Sequence, residues 1–239
     1  MSDLNTITKE KPEEWEPTIS KMFDDIAVTY EKINTMISMG MDKGWRKLLL
    51  KRLGQYMPEN RVLDVGCGPG SLSALAKTHL PKADFVSMDI SIKMLEIAAG
   101  SGNSDKVVCA SASSLPFKDG KFGAVVSAFV LRNLPDLEAF YKESHRILAD
   151  NGVMVMLDLT KPSFAPISFF HGLYMKLALP MAAKIYGSKL EAYEYLDRSI
   201  HNCVSPQQMI EIMNRCGFEK LHVDRRCMGT VTVYTVRKS

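Results

Sequence analysis

At 239 residues the chain is long enough for one α/β domain and too short for two of ordinary size. Its 46% hydrophobic content can fill a sizeable interior, and 24% charged residues give a solvated surface, which excludes a membrane-embedded class. A formal net charge of +3, with no block of five Lys or Arg residues, argues against nucleic acid as a partner.

The polar opening, residues 1–14, reads as disordered, and its lack of an apolar stretch makes a cytoplasmic location the expectation. Residues 15–38 and 42–56 then carry apolar side chains at helical spacing, broken near Gly40. They predict two helices over 15–56 that form a lid ahead of the first strand. From Arg61 the pattern alternates a short apolar run, a turn and a helix-length segment, the mark of a parallel sheet with crossover helices. Strands are predicted at 61–66, 83–89, 106–110, 124–128 and 153–159, and helices at 71–79, 92–99 and 137–148. Ser71 is available as an N-cap, and Asn151-Gly152 closes the third of these helices.

Beyond Lys161-Pro162, residues 163–200 read as a helical, substrate-side insertion after strand five. Its apolar stretch 164–183 is broken by Pro166, His171, Lys176 and Pro180 and fails as a membrane span. A helix at 206–216 stops at Gly217, and two last strands at 218–225 and 229–237, joined too briefly for a crossover, should pair antiparallel. The whole predicts one domain over 15–239. It is a doubly wound, Rossmann-like α/β fold with a seven-stranded, mostly parallel sheet and an antiparallel last strand. Cys67, Cys109, Cys203, Cys216 and Cys227 are odd in number and scattered, so neither a disulfide framework nor a metal site is indicated.

The strongest chemical signal is Val62-Leu63-Asp64-Val65-Gly66-Cys67-Gly68-Pro69-Gly70, an apolar strand running into a glycine turn and a helix. Glycines there let a ligand approach the backbone at a helix N-terminus beside the switch point of the sheet. Asp89 ends the next strand about 20 residues on, where a carboxylate can accept hydrogen bonds from both ribose hydroxyls. A nicotinamide fingerprint needs Gly or Ala where Ser71 stands. The G-x-G-x-G form suits S-adenosylmethionine, which has no pyrophosphate to cradle. Asp64 is read either as capping loop amides or orienting the amino group of the cofactor, or as a satisfied polar core residue. The small-residue run Ala110-Ser111-Ala112-Ser113-Ser114 follows the third strand and permits packing against an adenine ring, with Ser111 and Ala112 as its polar contacts.

At this point a resemblance is plain. Met22-Phe23-Asp24-Asp25-Ile26-Ala27-Val28-Thr29-Tyr30, then Asn34, Ser38, Gly40 and Trp45-Arg46, resembles the opening of the ubiquinone/menaquinone biosynthesis C-methyltransferases. So do Leu115-Pro116-Phe117, Leu131-Arg132-Asn133-Leu134, Lys161-Pro162, Tyr195-Leu196 with Ser199-Ile200, and Gly217-Phe218. The resemblance covers about residues 20 to 237 and implies methylation of a ring carbon on a reduced prenylated quinone, a lipophilic small molecule. It implies that Gly66, Gly68, Ser73, Asp89, Ser111 and Ala112 hold the cofactor. With Asp64, Cys67, Gly70, Ile90 and Ser127 these form the candidate cofactor set. The chain departs from the family pattern at Ser71, where many members carry an acid, at Ala128, where they carry serine, and at His201, where they carry arginine.

Carbon methylation is an in-line displacement, so alignment comes first, and loss of the quinol proton contributes roughly 10²–10⁴-fold through a base or water relay. Arg132 and Asn133 follow the fourth strand, where substrate would meet cofactor. Arg132 is read as a stabiliser of the developing phenolate or an orienter of water, and otherwise as an ordinary ion-pair residue. Asp158, ending the fifth strand and expected to face the same crevice, is read as taking the proton directly or through water, or as a cap on the Thr160-Lys161-Pro162 turn. His171 and His201 are further titratable candidates, and Tyr30 and Tyr195 are candidate pocket walls. Met22, Met36, Met39 and Met41 are read as a pliant lid over a greasy substrate or as plain core. The apolar face of 164–183 is open to an isoprenoid tail, a peripheral membrane contact, the core or a second subunit in a homodimer. The competing readings are a methyltransferase for another small acceptor, a non-catalytic sensor of adenosylmethionine and a nicotinamide oxidoreductase.

Overall fold

The computed structural model describes residues 12–161 and 203–239, together with Tyr174, Met181, Ile185, Tyr195 and Ser199. Residues 1–11 of the predicted disordered start, most of the 163–200 insertion, His171 and His201 lie outside the described residues.

Among the described residues three helices, not two, precede the sheet: α1 (Pro12–Ile26), α2 (Tyr30–Ile37) and α3 (Asp42–Tyr56). The predicted 15–38 helix breaks at a turn over 27–29, where Thr29 donates its backbone N–H to the Ile26 carbonyl and its hydroxyl to the same oxygen. The first turn of α1 also begins at Pro12, inside the stretch expected to be disordered. The alternation that follows is β1 (Arg61–Val65), α4 (Ser71–His79), β2 (Asp84–Asp89), α5 (Ile92–Gly100), β3 (Val107–Cys109), β4 (Phe122–Ala128), α6 (Leu137–Ile147) and β5 (Leu148–Leu159). The chain closes with α7 (Pro206–Arg215), β6 (Phe218–Arg226) and β7 (Val231–Lys238).

The seven strands lie in the order β3-β2-β1-β4-β5-β7-β6. β1 to β5 pair in parallel, and β7 pairs antiparallel with both β5 and β6. Because β1 sits between β2 and β4, the chain departs to opposite sides there, and the crevice outside the carboxyl ends of those strands is where such sheets bind ligands. Side chains alternate across the sheet. Leu63 and Val65 of β1 join Phe140, Ile147, Met209 and Met213 on one face. Val62 joins Leu49, Leu53, Leu72 and Ala76 on the other. This two-faced burial is why strands such as Phe122–Ala128 read as nearly continuous apolar runs.

Local chemistry sets the helix starts. Ser91 and Asp136 accept the Met94 and Ala139 amides at the heads of α5 and α6, and Ser205 with Gln208 forms a full capping box on α7, with Pro206 at its first position. Two sequence expectations change. Ser71 is not the cap of α4: Gly70 is, in the left-handed region at φ 82°, with no side-chain cap bond. Asn151-Gly152 does not close α6, which ends at Ile147. Asn151 takes φ 59° inside β5, and the pairing with β4 skips there from Phe122–Leu148 to Ala124–Val153. A short polar side chain that tolerates a left-handed backbone makes this bulge possible.

Candidate active site

A cleft of about 690 Å³ opens at the carboxyl edge of the sheet, between the glycine turn, the ends of β2 and β4, and α1. Its floor is the turn itself. The Gly66 and Cys67 amides both donate to the Met88 carbonyl, at 2.7 and 3.0 Å, which ties the turn to the end of β2. Gly66 has φ 68°, and a Cβ there would lie 2.3 Å from Val130 Cγ2. Gly68 has φ 54°, and a Cβ there would meet nothing closer than the Tyr30 ring at 3.7 Å. Gly66 is therefore required for packing, while Gly68 leaves a backbone cradle facing the cleft.

Asp89 ends β2 at the wall of this cradle, 8% exposed. One carboxylate oxygen accepts the Gly68 amide at 2.8 Å and the other the Ser91 amide at 2.9 Å. Burial pushes its pKa up, against the lowering effect of those amides. Each oxygen keeps further lone pairs for hydroxyl donors. Ile90, Ala110 and Ala112 continue the wall, and their small or apolar side chains leave room for a flat ring.

Of the predicted cofactor set, Gly66, Gly68, Asp89, Ile90 and Ala112 line the cleft. Asp64, Cys67, Gly70, Ser73 and Ser127 do not. They lie beneath or behind the turn and support it. Ser73 donates to Asp64 at 3.1 Å and shares a buried hydroxyl chain with Ser87 and Ser104, at 2.9 and 2.8 Å. Burial raises the Asp64 carboxyl to about 7, with the Ser73 bond opposing the rise. A Cβ on Gly70 would lie within 2.9 Å of Asn103 and Ser104. Ser127 donates to the Val65 carbonyl at 2.9 Å, fastening β4 to β1 just before the glycines. Cys67 is buried, which drives its thiol pKa far up and leaves it unreactive. The Ser111 hydroxyl donates to Glu16 of α1 at 2.5 Å.

The three predicted catalytic residues separate into two places. Asn133 lines the cleft at the end of a single 3₁₀ turn, Leu131–Asn133. It is a junction: its side-chain oxygen accepts the Tyr195 hydroxyl at 3.0 Å, its backbone carbonyl accepts Trp15 Nε1 at 3.1 Å, and its amide nitrogen donates to the Phe129 carbonyl at 3.3 Å. Arg132 and Asp158 instead line a small adjoining cavity with Cys203, Val204 and Tyr234. The expectation that Asp158 faces the same crevice is corrected here. Its carboxylate is taken up by the Arg132 guanidinium and backbone amide and by the Leu159 amide. Burial works against the charge on Arg132, and Asp158 together with Tyr30 and Tyr195 more than offsets this, so the guanidinium stays protonated. Its field reaches Tyr30 in the cleft, whose own pKa is raised by burial and lowered in part by Arg132.

Several cleft residues escaped sequence reasoning: Trp15, Glu16, Ile19 and Phe23 of α1, and Phe129 with Val130 after β4. The aromatic, amphipathic character of α1 was a signal. Phe129 carried none, yet it takes φ 67° with its ring under the Arg46 guanidinium at 5.3 Å and beside Trp45 at 6.3 Å. A non-glycine residue held in that region costs on the order of 1–3 kcal/mol and persists only when its surroundings fix it. The Met39 and Met41 lid is overturned: both are exposed and neither lines the cleft.

The sequence model of the ubiE/COQ5 methyltransferase family matches residues 8–238. A demethylmenaquinone methyltransferase of Bacteroides fragilis is 31% identical over 226 residues, covering 92% of each chain. One of Thermotoga maritima is 34% identical over 200 residues, covering 83% of this chain and 87% of the relative. Among solved structures, a possible histamine N-methyltransferase of Thermotoga maritima superposes with a TM-score of 0.63 at 18% identity, over 92% of this chain and 99% of that one, a likeness that speaks to fold alone.

Proposed function

Since this chain belongs to the ubiE/COQ5 methyltransferase family, we propose that it methylates a ring carbon of a reduced, demethylated prenyl-quinone, with Asp89, the Gly68 backbone and Ala112 holding the donor. The chain is an S-adenosylmethionine-dependent methyltransferase of quinone biosynthesis. When bound, S-adenosylmethionine supplies a methyl group made electrophilic by its sulfonium. The residues present fit such a group. Gly68 is a cradle that a side chain would fill, Asp89 has carboxylate lone pairs for two hydroxyls, and the alanines beside it accept a flat base.

The observation that carries the acceptor reading is the composition of the rest of the cleft. Beyond Asp89 its wall is mainly Trp15, Ile19, Phe23, Tyr30, Phe129 and Val130, apolar and aromatic, with Asn133 set among them and the Glu16 carboxylate engaged by the Ser111 hydroxyl. Such a wall excludes water and admits an aromatic ring bearing a hydrocarbon tail, while Asn133 offers hydrogen bonds that orient a ring hydroxyl. Arg132, pinned by Asp158 and by the Phe129 carbonyl at 2.7 Å, holds a fixed positive charge behind that floor. There it favours the phenolate that develops as the ring carbon becomes nucleophilic. Asp158, already engaged by its donors, acts as the holder of Arg132, and a proton leaves the quinol by way of water or a cleft phenol.

The test is incubation of the purified chain with methyl-labelled S-adenosylmethionine and chemically reduced demethylated quinones of both benzo and naphtho type. Mass spectrometry then locates the label. Label on a ring carbon of one of the reduced quinones, and none on the oxidised forms, is the expected result. Label on oxygen, or turnover of the oxidised form, would defeat the proposal.

A further inference from the structure

Among the described residues no helix is long and apolar enough to cross a membrane, yet one surface beside the cleft carries side chains that water does not favour. Met39 and Met228 are 69% and 77% exposed, each at a loop tip with a left-handed φ, 50° and 56°, which L side chains rarely adopt. Met41 is 41% exposed. The two loops meet, since Cys227 Sγ lies 3.9 Å from Met41 Sδ.

Topology places this contact at the active-site edge. β7 runs against both β5 and β6, so β6 runs with β1 to β5 and its last residues, which lead into the Cys227–Gly229 turn, lie at the carboxyl edge. α3 leads back to the start of β1, which puts its first turn, and Met41, at the same edge.

The charge left without a partner beside the methionines is positive. Lys43, Lys47 and Lys51 recur every four residues along the exposed face of α3. Among the described residues no acid pairs with any of them. The acids of this region are taken: Asp42 and Glu31 by Arg46, Asp224 by Arg52 and Arg226. Exposed Arg225 and Arg226 stand immediately before the Met228 tip.

We propose that this surface docks the enzyme on an anionic phospholipid bilayer, with Met39, Met41 and Met228 entering the boundary between headgroups and acyl chains and the α3 lysines facing lipid phosphates. Scattered methionine tips backed by exposed cations, the α3 lysines among them without an acidic partner, match a fluid, negatively charged surface. The surface differs from the 164–183 face expected from the sequence. The inference rests on the quinol reading only for its use: a prenyl tail keeps the acceptor in the bilayer, and docking brings the cleft edge to it.

The experiment is co-sedimentation of the full chain with phosphatidylcholine vesicles, with and without phosphatidylglycerol, in the absence of donor and acceptor. Binding to the phosphatidylglycerol vesicles that weakens with salt is expected. Lys43→Gln/Lys47→Gln/Lys51→Gln should lose roughly 5- to 25-fold in vesicle affinity, at about five-fold for each cation near the surface, since Lys51 stands about 12 Å farther along α3 than Lys43. Met39→Asp/Met228→Asp should abolish sedimentation. Both variants should keep the wild-type melting temperature, donor affinity and turnover of a tail-less demethylated quinol, while turnover of a vesicle-embedded one falls about ten-fold or more. Equal binding to neutral vesicles, no wild-type binding, or variants that sediment like the wild type would overturn the inference. So would a dimer in solution that Met39→Asp/Met228→Asp dissolves, which would assign the face to a second copy. Failure of the methyltransferase reading would appear separately, as no turnover of either acceptor by a protein that still sediments.

Discussion

Arg132 and Asp158 form a buried ion pair at the head of the sheet, with Nη1 2.6 Å from Oδ1 and both side chains less than a tenth exposed. The Arg132 backbone amide donates to the second carboxylate oxygen at 3.0 Å. One carboxylate therefore fixes both the charge and the turn that carries Asn133.

Breaking such a pair leaves a buried charge unmatched, which costs on the order of 3–5 kcal/mol. Asp158→Asn should lower the denaturation midpoint and turnover together. Arg132→Met/Asp158→Leu should recover most of the stability without recovering turnover, since the positive charge behind the cleft is gone. A double variant with wild-type turnover, measured with the reduced quinol, would remove Arg132 from the chemistry.

The Asn133 junction gives a different signature. Tyr195→Phe deletes the donor to the Asn133 side chain but leaves the donor site intact, so KM for the quinol should rise several-fold with donor affinity unchanged. Removing one neutral hydrogen bond is worth about 0.5–1.5 kcal/mol, and that bounds the effect. Steady-state kinetics at saturating donor, paired with calorimetry of donor binding, separates the two quantities.

Asp89→Ala removes the wall of the cradle and also frees the Gly68 and Ser91 amides. Donor affinity should fall about 100-fold or more, while Asp89→Asn, which keeps the shape and one acceptor, should lose less. Thermal shift with S-adenosylmethionine and its demethylated product reads both.

Gly66→Ala places a methyl group 2.3 Å from Val130 Cγ2 at a positive φ. It should destabilise the fold by about 2 kcal/mol or more, through both overlap and backbone strain. Gly66→Ala/Val130→Ala should recover only the overlap. Equal melting temperatures for Gly66→Ala and the wild type would contradict the packing described.

Asp64 supplies a pH dependence. Its carboxyl ionises near 7 in the folded chain against an ordinary value near 4, so the folded state binds the proton more tightly than the unfolded one. The stability this gives is fully present below about pH 4 and is lost as pH rises through 7. Asp64→Asn should remove that decline, amounting to a few kcal/mol, so urea midpoints at pH 5 and 8 should lie closer together in the variant than in the wild type.

The alternation of β1 to β5 and the glycine turn were legible because a strand buried on both faces must be apolar, and because a left-handed turn against a neighbouring side chain leaves no residue but glycine. The antiparallel closing pair was legible from the shortness of its connection. Position within the site was harder. Ser73 and Ser127 stand in the right segments, yet period alone does not tell a cleft-facing hydroxyl from one turned into the support beneath. The partnership of Arg132 with Asp158 spans 26 residues and that of Trp15 with Asn133 spans 118, and no local pattern encodes either. Met39 and Met41 sit in the turn between α2 and α3, and helical spacing does not tell which way the side chains of a turn will face.

α1 has one more consequence. It is tied across the cleft by Trp15 to the Asn133 carbonyl, Glu16 to Ser111, Ser20 to the Ile90 carbonyl and Asp24 to Ser91 and the Lys93 amide. Each anchor is a rim residue of the cleft or its immediate neighbour, so occupancy of the cleft and docking of α1 share one free energy. A protease given limited time should clip this segment readily from the empty enzyme and spare it at saturation, with the protection titrating along the binding isotherm.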